Sequence, residues 1–198
     1  SAASDVYKRQ ESDLIGSREV PESALYGVQT LRGIENFRIS KFHLNEYPLF
    51  IQALAITKMG AAVANRELDL LTEEQTDAIL KACKEILEGK HHDQFPVDMI
   101  QGGAGTTTNM NANEVIANRA LELMGHARGE YHYCSPNDHV NRSQSTNDAY
   151  PTAIHIGLYY THLKLVKHFA TLIEAFRKKG AEFAHIIKIC LLYTSDAA

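Results

Sequence analysis

The chain has no tryptophan, three cysteines and five prolines among 198 residues. Cys83, Cys134 and Cys190 form an odd set with no CxxC pair. That excludes a disulfide framework and a cysteine zinc site, and it points to a reduced cytoplasmic setting. A cationic excess is also missing: 20 Lys and Arg face 24 Asp and Glu, for a net charge of −4. Nucleic acid and membrane surfaces need a basic face, so neither is expected as a partner. No run reaches the roughly 18 apolar residues of a membrane span. The opening SAASDVYKRQ lacks the apolar stretch of a secretory signal. What remains is ordinary globular usage, 44% apolar and 22% charged, without repeats or low-complexity segments.

Both ends read as foreign to the rest. SAASDVYKRQ (1–10) and CLLYTSDAA (190–198) break the pattern of what lies between them and resemble adaptor-derived ends. The expectation is a native segment cut short near residue 190. Within it, residues 11–47 read as irregular chain with room for a short hairpin. A helix is expected from Pro48, with Ile56, Met59 and Val63 on its apolar face. Thr72-Glu73-Glu74-Gln75 spells a capping box for the next helix, whose face is Ile79, Cys83, Ile86 and Leu87 and whose stop is Gly89. A third helix carries Val115, Ile116, Ala120, Leu121 and Met124 to Gly125. A long helix is expected from about Asn147 to Ile187, with Pro151 in its first turn. Ile156, Tyr159, Leu163, Val166, Ala170 and Ile173 make its seam, and further apolar residues widen it. Such a helix needs several neighbours, so self-association is expected. No strand–helix alternation of a parallel sheet is visible.

Two segments carry chemistry. Gly102-Gly103-Ala104-Gly105 followed by three threonines lets backbone approach a ligand at the positive end of a helix, a fit for carboxylate or phosphate. Asn109, Asn111, Asn113 and Asn118 crowd the same helix and call for a polar network. The second segment, 136–151, ends in Ser145-Thr146-Asn147, more donors than one helix cap uses. Two anion-friendly termini suggest a ligand with two negative ends, a small dicarboxylate. His91 and His92 read as solvated, and His139 as a structural hydrogen-bonding residue. No lysine stands out. Walker A, dinucleotide, HExxH, GxSxG and metal-spacing patterns are all missing, so no cofactor and no metal are expected.

At these residues the chain resembles the aspartase/fumarase superfamily. QGGAGTTTNMNANEVIANRALELMG (101–125) and PNDHVNRSQSTNDAYPTA (136–153) are similar to its first two signature regions, within a likeness running from about Glu11 to Ile189. Ala104, Ser135 and Thr146 are similar to the aspartate ammonia-lyase branch, where class II fumarases carry other residues. The resemblance implies a mainly α fold: an N-terminal helical domain over 11–146, then the first long helix of a central bundle over 147–189. It also implies a homotetramer whose sites join several subunits, and reversible elimination of ammonia from L-aspartate to give fumarate. By motif position, Thr106, Ser145, Thr146 and Asn147 would bind substrate. The superfamily's GSSxMPxKxNP loop with its serine base has no counterpart here, so no catalytic residue is expected in this segment, and it should be inactive alone. A class II fumarase, or a non-catalytic helical assembly protein on the same fold, stands as the alternative.

Overall fold

The computed structural model describes residues 7–187. It begins with a hairpin in which β1 (Lys8–Asp13) pairs antiparallel with β2 (Gly16–Pro21), Lys8 opposite Pro21. Asp13 Oδ1 accepts the Ile15 and Gly16 N–H groups at 2.9 and 3.1 Å, and Gly16 takes φ +133° to close the turn. Lys8, Arg9 and Gln10, set aside above as part of a foreign end, are in β1. Arg9 is built into the fold. Its guanidinium donates to Glu11 Oε1 at 2.7 Å and to the Ala24 and Tyr26 carbonyls, both at 2.7 Å.

A helix, α1 (Val28–Asn36), stands where irregular chain was expected. Its buried positions are Val28, Thr30, Arg32 and Gly33, so packing there rests on polar pairing that an apolar pattern does not announce. Arg32 holds Asp13 through two bonds of 2.8 and 2.9 Å. A Cβ on Gly33 would run into the Thr107 methyl, which is why a glycine stands at this crossing.

α2 (Pro48–Glu67) starts at its proline as expected, but its buried face is turned. Ile51, Leu54, Ala55, Lys58, Ala62 and Asn65 are buried, while Ile56 and Met59 are only partly covered and Val63 is 43% exposed. Spacings of three and four fit two neighbouring faces of this alanine-rich helix. The buried one mixes large and small residues, Ile51 and Leu54 with Ala53, Ala55 and Ala62, around Lys58 and Asn65. α3 (Glu73–Leu87) has the capping box: Thr72 Oγ1 accepts the Gln75 N–H and Gln75 Oε1 accepts the Thr72 N–H, both at 3.1 Å. Gly89 follows it at φ +87°.

α4 (Thr106–Leu123) runs through the core and stops before Gly125, at φ +83°. Val115, Ile116 and Leu121 meet Leu54, Ile79 and Ile86 there, all at most 1% exposed. Each such side chain contributes about 1.5–3 kcal/mol. α5 spans Thr146–Glu182, 37 residues. Pro151 falls in its second turn, one turn later than expected, and gives the Asn147 carbonyl no helical donor.

The chain divides into two compact units between Leu158 and Tyr159. In the first, Ala149, Ala153 and Gly157 of α5 are buried, and a Cβ on Gly157 would meet Phe50 Cα at 3.5 Å. In the second, Leu163, Val166, Phe169, Ile173 and Phe176 are exposed. Among the described residues the only sheet has two strands, and no helix is long and apolar enough to cross a membrane. Cys190 and the expected foreign end at 190–198 lie outside the described residues.

Candidate functional site

The two segments singled out above come together as the starts of α4 and α5. The loop before α4 needs glycine: Gly103 and Gly105 have φ +72° and +85°. A Cβ on Gly105 would also enter the ring of Tyr150, so the loop lies directly against the second turn of α5. Gly105 offers no capping side chain, and the first turn of α4 has no acidic residue, so its N–H groups meet no carboxylate there.

The three threonines divide their tasks. Thr107 packs on Gly33 of α1. Thr108 is buried and exchanges bonds of 2.7 and 2.9 Å with Gln101. Thr106 is exposed at the head of the helix. On α5, Ser145 acts as a cap: its Oγ accepts the Asn147 N–H at 3.1 Å, and its own N–H donates to Asp148 Oδ2 at 3.3 Å. The Asn147 side chain is exposed. Thr146 is half-buried, and its Oγ1 accepts from Asn109 Nδ2 at 3.1 Å. Thus Ser145, Thr146 and Asn147 are joined to the helix of Thr106 through Asn109, and no bond links Thr106 directly to the other three among the described residues.

Behind this junction sits a residue that no local pattern singles out. Lys58 of α2 is fully buried. Its Nζ donates to Asn109 Oδ1 at 2.7 Å, Asn141 Oδ1 at 2.9 Å and Gln144 Oε1 at 3.0 Å. Burial pushes its pKa down to about 7. The three amide oxygens oppose that pull, because only the ammonium form has a proton for each of them. The available signal was one cation in the apolar run ALAITKMGAA, too slight to separate it from a solvated lysine.

The asparagines of α4 serve separate partners, not one network. Asn118 bonds the Leu25 carbonyl at 2.8 Å and Tyr131 Oη at 3.0 Å; Asn111 bonds the Gln94 carbonyl at 3.0 Å. Asn111 Oδ1 and Asn113 Oδ1 are buried without a hydrogen-bond partner among the described residues.

A second polar centre closes the N-terminus of α1. The buried Glu114 carboxylate accepts the N–H groups of Gly27, Gln29 and Thr30 at 2.8, 2.8 and 3.0 Å, and the Thr30 hydroxyl at 2.6 Å. Glu11 Oε2 accepts the Val28 N–H at 3.0 Å and the Tyr131 hydroxyl at 2.9 Å. Burial pushes the Glu114 carboxyl up, and the donors from Thr30, Gln29 and Gly27 pull against it.

The three histidines singled out above and the two described cysteines are held within the fold. His91 and His92 are not solvated as expected: they are half-buried, His91 against Glu85 and His92 against the Ile86 carbonyl, both at 2.8 Å. His139 Nδ1 accepts the Ser135 N–H at 2.7 Å, in keeping with a structural role. Burial pushes the Cys83 and Cys134 thiols up to about 12. No group of three or more His, Cys, Asp or Glu placed to hold a metal occurs among the described residues.

Comparison with known proteins follows this geometry. Residues 16–198 match a family described as lyase. The chain is 55% identical over 189 residues to an aspartate ammonia-lyase of Pseudomonas aeruginosa, and 52% identical over 190 residues to that of Escherichia coli. Each alignment covers 96% of this chain and 40% of the relative, so the chain spans about two fifths of their length. Among solved structures, a fumarate lyase:delta crystallin from Brucella melitensis matches with TM-score 0.90 and 50% identity, over 93% of this chain and 40% of that one. A class II fumarase from Schistosoma mansoni matches with TM-score 0.69 and 38% identity, over 76% and 32%.

Proposed function

The chain belongs to the lyase family, and from that premise we propose that it is the substrate-gripping part of an aspartate ammonia-lyase. The whole protein would eliminate ammonia reversibly from L-aspartate to give fumarate, in the cytoplasm and as a homotetramer. Residues 11–146 would serve as its N-terminal domain and 147–189 as the first arm of a central helix bundle.

The observation that carries the reading is the pair of adjoining helix starts tied by the Asn109–Thr146 bond. The hard step in such an elimination is removal of a weakly acidic proton beside a carboxylate, which must accept charge as an aci-carboxylate dianion. Neutral donors fixed in advance at helix starts suit that developing charge. Thr106, Thr146 and Asn147 would supply them, and Ser145 would hold the α5 start in shape while offering its own hydroxyl. The serine base of the superfamily has no counterpart among these residues, so another part of the whole protein would take the proton.

Identity of more than half to aspartate ammonia-lyases supports aspartate over malate as the substrate, as do Ala104, Ser135 and Thr146. The likeness to a class II fumarase is the one observation favouring the second reading. The test follows fumarate absorbance in the protein expressed from the complete reading frame, supplied with aspartate or with malate. Fumarate from aspartate is the expected result. Faster turnover of malate would transfer the chain to the fumarases, and turnover of neither would favour an assembly protein.

A further inference from the structure

Lys58 does more than fill space: its ammonium faces three side-chain amides. Two of them, Asn141 and Gln144, are also turned by giving their N–H groups to the Gln144 and Val140 carbonyls at 3.1 and 2.9 Å, while Asn109 has no backbone partner for its amide. An ammonium has protons and no acceptor, so whatever amide atom lies 2.7 Å from Lys58 Nζ must be an oxygen. Asn109 is thereby fixed with Oδ1 toward Lys58 and Nδ2 away from it. The same holds for Asn141 and Gln144, whose oxygens face Lys58 at 2.9 and 3.0 Å. Asn141 Oδ1 also accepts from Asn109 Nδ2 at 3.1 Å, a second lock on the same orientation.

The consequence reaches the candidate site. With its amide nitrogen turned outward, Asn109 can only donate to Thr146 Oγ1, at 3.1 Å. Thr146 therefore accepts on its buried side. Its single proton finds no acceptor among the described residues and is left for a ligand. Were Asn109 reversed, Thr146 would donate inward and present only lone pairs to an incoming carboxylate, which has no proton to give. We propose that Lys58 is a positioning residue that, through Asn109, makes the Thr146 hydroxyl an obligate donor toward a dicarboxylate. This rests on the reading of Thr146 as a substrate-binding residue.

The test is a double-mutant cycle in the protein expressed from the complete reading frame, read as kcat/KM on aspartate with thermal midpoints measured alongside. Lys58→Met takes away the ammonium that holds Asn109 Oδ1 and leaves the bond to Asn141 to oppose reversal, and Thr146→Val removes the hydroxyl. Lys58→Met is expected to lower kcat/KM by roughly two orders of magnitude, the loss expected of Thr146→Val alone. Adding Thr146→Val should deepen the loss little, because the hydroxyl has already been turned away. Independent, multiplying losses would overturn the relay, as would a Lys58→Met kcat/KM within about twofold of the unsubstituted protein. Should Lys58→Met fail to fold, Asn109→Asp carries the same cycle. It keeps shape and an acceptor for Lys58 but takes the Thr146 proton, so its loss should again mask that of Thr146→Val, and multiplication would again overturn the relay. Absence of all turnover by the unsubstituted protein would sink the lyase reading instead. The cycle is then run on succinate binding by calorimetry, where masking supports the relay, and multiplying losses or no binding at all overturn it.

Discussion

Two helix beginnings in this chain solve one electrostatic problem in opposite ways. The start of α1 is filled from within: Glu114 and Glu11 bring carboxylate oxygens to its N–H groups, and Gly27 lets them in. The start of α4 has glycines, threonine hydroxyls and no acidic side chain in its first turn. A helix N-terminus attracts negative charge wherever it lies. At α1 the chain supplies that charge itself and gains a closed structural joint. At α4 it brings in no carboxylate: a neutral acceptor, Gln101 Oε1, takes the Thr108 N–H, and the one acidic side chain of the adjoining α5 start, Asp148, is turned to the Ser145 N–H. The contrast separates a cap that holds the fold from a cradle that suits a visiting carboxylate.

Glu114→Ala should break the closed end most severely. It strands three backbone N–H groups and a hydroxyl in a buried site, each costing about 1–3 kcal/mol. A loss above about 3 kcal/mol in urea unfolding is expected, and a loss below 1 kcal/mol would show that α1 does not depend on it. Thr146→Val should do the reverse at the open end. In the whole protein it is expected to lower kcat/KM by roughly two orders of magnitude, a size typical of a lost oxyanion donor, with a stability loss of only about 1–3 kcal/mol from the Asn109 N–H left without its acceptor. Near-normal kinetics would remove Thr146 from the site. Gly105→Ala probes the junction itself. At φ +85° and facing the Tyr150 ring, the added methyl should cost about 1–3 kcal/mol and disturb both helix starts, visible as a lower thermal midpoint. Ser145→Ala is the mildest. As an N-cap it should lose about 1 kcal/mol of stability. A loss of activity far beyond that would show that its hydroxyl also grips the ligand.

The sequence made the apolar helices and their punctuation readable because those signals are local. The Thr72–Gln75 box and the glycines at 89 and 125 each act within a few residues of where they stand. α1 was not legible, because what it buries is chiefly polar, and its partners, Glu114 and Asp13, lie 84 and 19 residues from the side chains they hold. The turned face of α2 was missed for a related reason: Lys58 and Asn65 look like surface residues until their acceptors, on segments about 50 to 90 residues away, are in place. Of the candidate site, the donor-rich segments could be named from composition and resemblance. The joint between them could not, since it depends on the direction of a single carboxamide.

Both described cysteines are sealed into the first unit, Cys83 within α3 and Cys134 beside the Pro136–Val140 turn. A thiol held near 12 carries almost no thiolate at neutral pH, and a buried one is also shielded from reagent. Their alkylation therefore waits on opening of the structure around them. The chain thus contains two internal clocks, one set in a core helix and one in the approach to α5. Comparing their labelling rates would tell, without any added probe, whether the candidate site loosens before the helical core or together with it.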